Sequence, residues 1–215
     1  MNILLVKTSS LGDVIHNLPV VSDLVRRLPN PVIDWCVEES FAAIPRLHPG
    51  VKRVLPVAVR RWRKSLASRA TWREIGAFRK HLGRTAYDAV LDTQGLLKSG
   101  LWAWLSQAPR RISLIGREGS QHLATERVHR PHESGVPRRL GSEYRVLASH
   151  LGAADEAFQP DLAIGAAARE AARAALRSGS AVIAAGGRYA VLCPFTTRPQ
   201  KHWFEDRWMA LAGRC

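Results

Sequence analysis

The sequence predicts an α/β protein built on a parallel sheet, and three features of its first residues support this prediction. Ile3 to Val6 is a continuous apolar run, as expected of a strand that is buried on both faces of a parallel sheet. A short loop rich in hydroxyl groups follows, from Lys7 to Gly12. Apolar residues then recur at helical spacing as far as Leu28. The chain therefore opens as strand, tight loop and helix.

The same alternation continues along the chain. Further strands are predicted at 32–37, 51–57, 87–91 and 111–115, and helices at 17–28, 41–47, 71–82, 96–107 and 138–151. Asn17 is expected to cap the first helix, with Pro19 in its first turn. Thr71 and Glu74 have the spacing of a capping box, and Gly83 is the stop signal of that helix.

The segments between these elements carry no further motif. Trp102 and Trp104 fall in the apolar helix 96–107 and are expected in the core. Residues 117–139 are polar and are expected to be irregular. The histidines of this segment lack the spacing of metal ligands, so we expect surface histidines and no metal site.

A second α/β unit is expected to begin after a linker. We assign 1–152 to a first domain, 153–165 to the linker and 166–215 to the start of a second domain. Residues 166–176 are predicted to form an alanine-rich helix, 189–193 a buried strand, and a further helix is expected from about Glu205.

The composition limits the class of protein. A net charge of +14 and a pI near 10.9 indicate a polyanionic partner: nucleic acid, an anionic membrane surface or a phosphorylated substrate. The three cysteines, Cys36, Cys193 and Cys215, are far apart, which favours reduced thiols in the cytosol. No apolar run approaches the roughly 20 residues of a membrane-spanning helix, and the N-terminus has no pattern of a secretory signal.

Two groups of side chains are candidates for chemistry. Ser9, Ser10 and Asp13 follow the first strand, at the sheet edge where open α/β sheets bind ligands. Asp13 can be a helix cap or a general base, and the spacing alone favours the cap. Residues 52–84 contain eleven Lys or Arg and one acid. Arg60 to Lys64 concentrates four of these charges in a predicted loop after a strand end.

Five stretches, in order along nearly the whole chain, resemble the bacterial lipopolysaccharide heptosyltransferases, in particular heptosyltransferase I. They are VKTSSLGDVIHNLP from Val6, DWCVEESFAAIP from Asp34, RRWRKS from Arg60, YDAVLDTQGLLKSG from Tyr87 and TTRPQKHW from Thr196. The resemblance implies a fold of the GT-B type, in which two Rossmann-like domains face each other across a cleft. It implies an inverting transfer of heptose from ADP-heptose to the Kdo residue of Kdo–lipid A, in lipopolysaccharide inner-core synthesis.

The resemblance also implies roles for particular residues. Asp13, in the SxGD loop, would be the catalytic base that takes the proton of the acceptor hydroxyl. The expected acceptor-binding residues are Ser9, Ser10, Gly12, Arg60, Arg61, Arg63, Lys64 and Gln94. The expected donor-binding residues, which would contact the diphosphate, are Thr196, Thr197 and Lys201. No cofactor and no metal is implied.

The implied partners are ADP-heptose, the anionic Kdo–lipid A acceptor and the cytoplasmic face of the inner membrane, with the protein cytoplasmic and peripheral to that membrane. Members of the family carry a later DxGxxH-type stretch that contacts the nucleotide sugar, and this sequence ends at Cys215 before any such motif. We therefore expect the second domain of this sequence to be incomplete and the 215-residue chain to transfer heptose poorly.

Three alternatives stay open at the level of sequence. The charge alone is compatible with a nucleic-acid-binding protein, although the basic residues are not interleaved with stacking aromatics and no recognition motif is present. A heptosyltransferase that acts further out in the core is the second alternative; the KTSS and RRWRK stretches favour the first enzyme over it. A non-catalytic remnant of the family is the third.

Overall fold

The computed structural model describes residues 1–116, 118–130, 140–153, 162–179, 186, 189–190, 192 and 199–214. The chain forms two compact units, Met1–Ala163 and Ile164–Cys215. The backbone N–H of Ala163 donates to the carbonyl of Leu47 at 2.7 Å, so the first unit extends to this residue.

The first unit is built on one parallel sheet of six strands in the order β3-β2-β1-β4-β5-β6. The strands are β1 (Asn2–Val6), β2 (Val32–Glu38), β3 (Val51–Val57), β4 (Ala89–Asp92), β5 (Arg110–Leu114) and β6 (Glu126–Val128). This is the strand order of the doubly wound Rossmann fold. The predicted α/β class with a parallel, Rossmann-like first domain is therefore confirmed.

Helices cover both faces of this sheet. They are α1 (Leu11–Ile15), α2 (Leu18–Arg27), α3 (Val59–Trp62), α4 (Arg69–Leu82), α5 (Leu97–Leu105) and α6 (Leu140–Ser149). Short 3₁₀ turns lie at Glu39–Phe41, Pro45–Leu47 and Ser120–Leu123.

The central strand explains why its sequence is uniformly apolar. Ile3 and Leu5 of β1 pack into the core under α2 and α6. Leu4 and Val6 point to the opposite face, into the core under α4 and α5. Because successive side chains of a strand alternate between faces, a strand covered on both sides needs apolar residues at every position. Cys36 lies in the second core as a buried free thiol, and Cys193 and Cys215 lie outside the described residues.

The predicted helix 17–28 is confirmed as α2, with one residue fewer at each end, and the next predicted helix is wrong. The apolar periodicity from Val14 to Leu28 is divided between α1 and α2, with Asn17 at the N-cap position of α2 and Pro19 in its first turn. The predicted helix 41–47 is wrong: two 3₁₀ turns occupy this segment, the second beginning at Pro45. Proline has no N–H to donate and its ring excludes a preceding helical turn, so it interrupts a continuous helix here.

The predicted capping box of α4 is also wrong. Helix α4 begins two residues before Thr71, and Ser68 is its N-cap, whose side chain accepts a hydrogen bond from the N–H of Ala70. Thr71 is buried and contacts the hydroxyl of Ser65 at 2.9 Å. Glu74 accepts a hydrogen bond from the indole of Trp62 at 2.8 Å. The predicted end of this helix at Leu82, with Gly83 as C-cap, is confirmed.

Two further predictions need correction. Trp102 is buried as expected, in edge contact with Phe78, but Trp104 is half exposed on the outer face of α5. Strand β6 falls in the segment that was expected to be irregular. Its three residues are too few, and two of them too polar, to show a strand pattern in the sequence.

The second unit contains three described elements: α7 (Ala166–Gly179), a 3₁₀ turn at Pro199–Lys201, and α8 (Glu205–Ala212). The two predicted helices of this unit are therefore present. Of the predicted strand 189–193, the described residues Tyr189, Ala190 and Leu192 lie in no strand, and the others lie outside the described residues.

A buried ion pair joins α6 to α2. The guanidinium of Arg145 donates two hydrogen bonds to the carboxylate of Asp23, at 2.6 and 2.7 Å, and both side chains are almost fully buried. The bidentate geometry fixes the position of α6 against the sheet. The next residue to Arg145 in the chain, Tyr144, reaches the candidate site described below.

We expect Asp23→Ala to destabilise the first unit by about 3–5 kcal/mol, because it leaves a buried guanidinium unpaired. Urea denaturation measures this difference. The control is Glu39→Ala, which breaks an exposed pair with Arg61 and is expected to change stability by less than about 1 kcal/mol. The double variant Asp23→Ala/Arg145→Met should recover much of the loss, and equal effects of Asp23→Ala and Glu39→Ala would contradict the assignment.

Candidate functional site

The order of the strands reverses between β1 and β4, and this point defines a crevice at the carboxyl edge of the sheet. β1 pairs with β2 on one side and with β4 on the other. The loops that follow β1 and β4 therefore lie next to each other. In open α/β sheets this crevice is where ligands bind.

A buried carboxylate organises the loop after β4. Asp92 ends the strand, and its Oδ1 accepts hydrogen bonds from the N–H groups of Gln94, at 3.1 Å, and Gly95, at 3.2 Å. Its Oδ2 accepts from the hydroxyl of Ser113 on β5 at 3.0 Å. Gly95 has a φ of +66°, and a Cβ at this position would lie 2.7 Å from the carbonyl oxygen of Leu114. Glycine is therefore required at this turn.

Gln94 connects this loop to the loop after β1. Its Oε1 accepts hydrogen bonds from both the N–H and the hydroxyl of Thr8, each at 2.7 Å. Its Nε2 donates to the hydroxyl of Ser9 at 3.4 Å. Gln94 is almost fully buried, and its described hydrogen bonds position the β1 loop.

Asp13 lies in the first turn of α1, and both of its oxygens are hydrogen-bonded. Oδ2 accepts from the N–H of Ser10, the N-cap residue, at 2.9 Å and from the Ser10 hydroxyl at 2.8 Å. Oδ1 accepts from the hydroxyl of Tyr144 on α6 at 2.9 Å. Only Oδ2 therefore makes the contacts that are typical of a helix cap. Oδ1 contacts Tyr144, a residue from a distant part of the chain.

The surroundings of Asp13 keep it ionised. Partial burial acts to raise the pKa of its carboxyl group, but the hydrogen bond from the Ser10 N–H and the charge of Lys7 outweigh it and lower the pKa. Lys7 is almost fully buried at the end of β1, and burial lowers the pKa of its ammonium group to about 8 against the opposing charge of Asp13.

The loop space in front of α1 is open. Apart from the two neighbouring residues and the backbone of α1 itself, no atom of the described residues lies within 4 Å of the position that a Cβ would take at Gly12. Gly12 also has an exposed backbone, next to the carboxylate of Asp13. A larger residue would therefore fit at this position without a clash in the local fold. With glycine there, the same space is available for the close approach of a ligand.

A positive cluster lies beside the β1 loop. The ammonium group of Lys98, on the first turn of α5, donates to the Ser9 hydroxyl at 3.2 Å. Burial lowers the pKa of Lys98, while the charge of Glu38 acts to raise it and that of Arg60 to lower it, with smaller contributions from Glu118 and Arg63. The basic RRWRK segment and the Ser9 loop therefore share one electrostatic region, which also contains the carboxylates of Glu38 and Glu118.

The basic segment itself is the short helix α3 and the turn after it, and its four charges differ in availability. Arg61 pairs with Glu39 at 3.2 Å and with Glu74 at 2.9 Å. The guanidinium of Arg60 stacks on the ring of Phe41, 5.0 Å from its centroid. The side chains of Arg63 and Lys64 are exposed. Trp62 lies between Arg61 and Arg63 in the sequence. It is buried against Phe78 and Trp102, so its role is in packing.

The predicted donor residues belong to the second unit. Thr196 and Thr197 lie outside the described residues. Lys201 ends the 3₁₀ turn Pro199–Lys201, and its side chain is exposed.

Three residues of this site were missed at the level of sequence. Lys7 is the first residue of the KTSS stretch, and Lys98 follows the loop 92–95 after β4, so the sheet-edge argument that selected Ser9 applies to them as well. Tyr144 is 131 residues from Asp13 in the chain. Its contact depends on how α6 packs, and no local pattern in the sequence indicates it.

The described first unit defines a Rossmann-like domain with a carboxylate and a basic rim at its topological switch point, an arrangement suited to anionic substrates. Residues 75–215 match the family model "Glycosyltransferase family 9 (heptosyltransferase)", which is more than half of the chain. The protein therefore belongs to glycosyltransferase family 9, the heptosyltransferases. With this family shown, the nucleic-acid-binding alternative is not favoured.

Individual relatives agree with this assignment. The chain is 37% identical to lipopolysaccharide heptosyltransferase 1 of Escherichia coli K12, over 99% of this chain and 64% of the relative. Among solved structures, E. coli heptosyltransferase WaaC with ADP superposes with a TM-score of 0.77 at 36% identity, covering all of this chain and 64% of that one. WaaC with ADP-2-deoxy-2-fluoro heptose gives 0.76 at 35% identity, covering all of this chain and 65% of that one. The chain thus spans somewhat less than two thirds of the length of these relatives.

Proposed function

We propose that this protein acts in the transfer of heptose from ADP-heptose to the Kdo residue of Kdo–lipid A, with inversion at the anomeric carbon. The observation that carries the proposal is the ionised carboxylate of Asp13 at the switch point, beside open space at Gly12 and a positive rim. Membership of the heptosyltransferase family supports the reaction type.

The proposed reaction is a single displacement. Asp13 takes the proton of the acceptor hydroxyl as the hydroxyl oxygen forms a bond to the anomeric carbon of heptose. The bond from this carbon to the diphosphate breaks, and its electron pair leaves with ADP. The attacking oxygen approaches from the side opposite to the leaving group, which inverts the configuration.

The acceptor is expected to bind to the first unit through its negative charges. Kdo carries a carboxylate and lipid A carries phosphates, and both need positive partners. Lys98, with Arg63 and Lys64, offers such partners at the edge of the site. Ser9, Ser10 and Gln94 would then position the loop that the acceptor meets, since their described contacts are within that loop system.

The donor is proposed to bind to the second unit. The structures of the E. coli relative with ADP and with a fluorinated ADP-heptose make ADP-heptose the reasonable donor. Thr196, Thr197 and Lys201 remain the proposed contacts to its diphosphate, as hydroxyl groups and an ammonium group can bind phosphate oxygens.

We further propose that the outer surface of α4 and α5 contacts an anionic membrane. Both helices pack on the same sheet face. Among the exposed residues of this surface are Trp72 and Trp104, 59% and 51% exposed, and basic residues of α4 that include Arg73 and Lys80. Tryptophan favours the bilayer interface, and basic residues favour anionic headgroups. Among the described residues, no helix combines the length and the hydropathy of a membrane-spanning segment. The membrane association that we propose is peripheral.

We expect Asp13→Asn to lower turnover by about 10²–10⁴-fold, because it removes the general base while keeping the side-chain size. The measurement is incorporation of labelled heptose into Kdo–lipid A by the purified protein. Asp88→Asn, at an exposed aspartate that precedes β4, is the control and should leave turnover unchanged. An Asp13→Asn enzyme that retains more than about a tenth of the rate would exclude this role.

We expect Arg63→Ala/Lys64→Ala to weaken acceptor binding by about tenfold or more, since charge-assisted contacts to a carboxylate or phosphate are lost. Calorimetry with de-acylated, water-soluble Kdo–lipid A measures this on the 215-residue chain, and binding should weaken as salt rises. Arg61→Ala should have a smaller effect, because Arg61 is already paired with two acids.

A charge-matched control is Arg26→Ala/Lys52→Ala, which removes two exposed charges at the amino edge of the sheet. It should leave acceptor affinity unchanged. Equal losses in the two double variants would mean that only the net charge acts.

Sedimentation with phospholipid vesicles tests the membrane surface. We expect binding to phosphatidylglycerol vesicles but not to phosphatidylcholine vesicles. Arg73→Glu/Lys80→Glu should lower this binding by about tenfold or more, since each basic residue near an anionic surface contributes about 1 kcal/mol. Trp72→Ala/Trp104→Ala should lower it too. Val25→Ala/Arg26→Glu, on the exposed side of α2 across the sheet, is the control, and an equal loss there would contradict the proposed surface.

A further inference from the structure

The hydrogen bonds of Asp13 distinguish its two oxygens. Each carboxylate oxygen has about two lone-pair sites for hydrogen bonds. Oδ2 accepts two bonds, both from Ser10, so its sites are occupied. Among the described residues Oδ1 accepts one bond, from the hydroxyl of Tyr144, so within this part of the chain one site is left for a ligand. The atom that can accept a proton from an acceptor hydroxyl is therefore Oδ1.

Tyr144 determines which site on Oδ1 stays available. Its side chain is only 2% exposed, and the hydroxyl reaches Oδ1 at 2.9 Å from α6, a helix anchored by the buried pair of the adjacent Arg145 with Asp23. A phenol held in this way has little freedom to move. The contact can also survive proton transfer, since a protonated Oδ1 still has a lone pair that accepts from Tyr144.

Lys7 completes the arrangement. Its ammonium group lies over the face of the Tyr144 ring, 4.1 Å from the centroid, and donates to the carbonyl of Thr93 at 3.4 Å. A cation in this position attracts both the ring and the carboxylate that the ring contacts. Within the described residues, Asp92 at the end of β4, Arg130 after β6 and Glu143 on α6 also act on this cluster. Arg130 and Glu143 form an ion pair with each other at 3.0 Å.

We propose that Oδ1 of Asp13 is the proton-accepting atom, and that Tyr144 and Lys7 are positioning residues that orient this atom and keep it ionised. The inference rests on the proposed function of Asp13 as general base. In the step, the acceptor O–H bond breaks, its proton passes to Oδ1, and the oxygen keeps the electron pair that forms the new bond to the anomeric carbon. Tyr144 and Lys7 exchange no proton with the substrate.

Tyr144→Phe tests the inference because it removes the hydroxyl and keeps the ring. The titration of Asp13 can be followed by carbon NMR in a chain labelled at aspartate, with the signal assigned by its loss in Asp13→Asn. We expect the titration midpoint of Asp13 to move to higher pH, because a donor to the ionised form is lost. In the transfer assay, the acid limb of the pH profile of kcat/KM, where the rate falls at low pH, should also move to higher pH. The value of kcat should fall about tenfold, and KM for the acceptor should stay unchanged.

Tyr87→Phe is a matched control. Tyr87 is also a buried tyrosine whose hydroxyl donates to a carboxylate, that of Asp34, at 2.7 Å. It has no described contact with Asp13. Tyr87→Phe should leave both the Asp13 titration and the acid limb unchanged, whereas a general loss of stability would affect both tyrosine variants in the same way.

Lys7→Met provides a second route in case Tyr144→Phe does not fold. Loss of the positive charge should again move the Asp13 titration to higher pH, and Lys7→Arg, which keeps the charge, should restore it in part. An Asp13 titration that is unchanged in the folded variants would overturn the inference.

The inference and the proposed function can fail separately. A shifted Asp13 titration in a protein that does not transfer heptose to Kdo–lipid A would retain the positioning network and remove the proposed function. Transfer activity with an acid limb that neither Tyr144→Phe nor Lys7→Met moves would retain the function and remove the inference.

Discussion

The burial of one carboxylate, that of Asp92, is the constraint on which the site depends. Burial raises the pKa of this group, and the structure offsets the penalty with donors from two backbone N–H groups and a serine hydroxyl. Those donors fix the turn at Gly95, and the turn places Gln94 against Thr8. The loop that carries Ser9 and Ser10 thus takes its shape from an acid on the neighbouring strand. A polar group inside a sheet needs a complete set of partners, and here the partners connect the two loops of the switch point.

The charge that a ligand can meet is smaller than the charge that the sequence contains. Residues 52–84 hold eleven basic residues, but Arg61 is neutralised by two acids and the guanidinium of Arg53 is bound to Asp34. Lys98, which the count leaves out, lies in contact with Ser9 and under the influence of Arg60 and Arg63. Whether a cation is available to a ligand therefore depends on its position at the sheet edge and on its pairing with acids, and not on the number of basic residues.

The sequence predicts the parts of this fold that local patterns determine. The apolar runs of β1 and β4 and the glycine after α4 could be read directly, because burial on both faces and helix termination each have a strong local signal. Strand β6 and the exposed Trp104 could not, because a three-residue strand has no periodicity and a helix sequence does not show which apolar side meets solvent. Asp13 and Ser9 were found from a strand end, and Gln94 from the family resemblance. Tyr144 was not, because its contact with Asp13 depends on tertiary packing over 131 residues.

The low proton affinity of Asp13 has a mechanistic consequence for the proposed reaction. Three hydrogen bonds and a nearby ammonium group stabilise the carboxylate, so its pKa is lowered and it is a weak base. A weak base cannot deprotonate a sugar hydroxyl before the hydroxyl reacts. The proton becomes acidic enough to transfer only as the oxygen bonds to the anomeric carbon and develops positive charge. In the proposed reaction we therefore expect departure of the diphosphate to run ahead of proton transfer, so that stabilisation of the leaving ADP lowers much of the barrier. The first unit would orient the acceptor and take up its proton, and the groups that bind the diphosphate would stabilise the charge that develops on it.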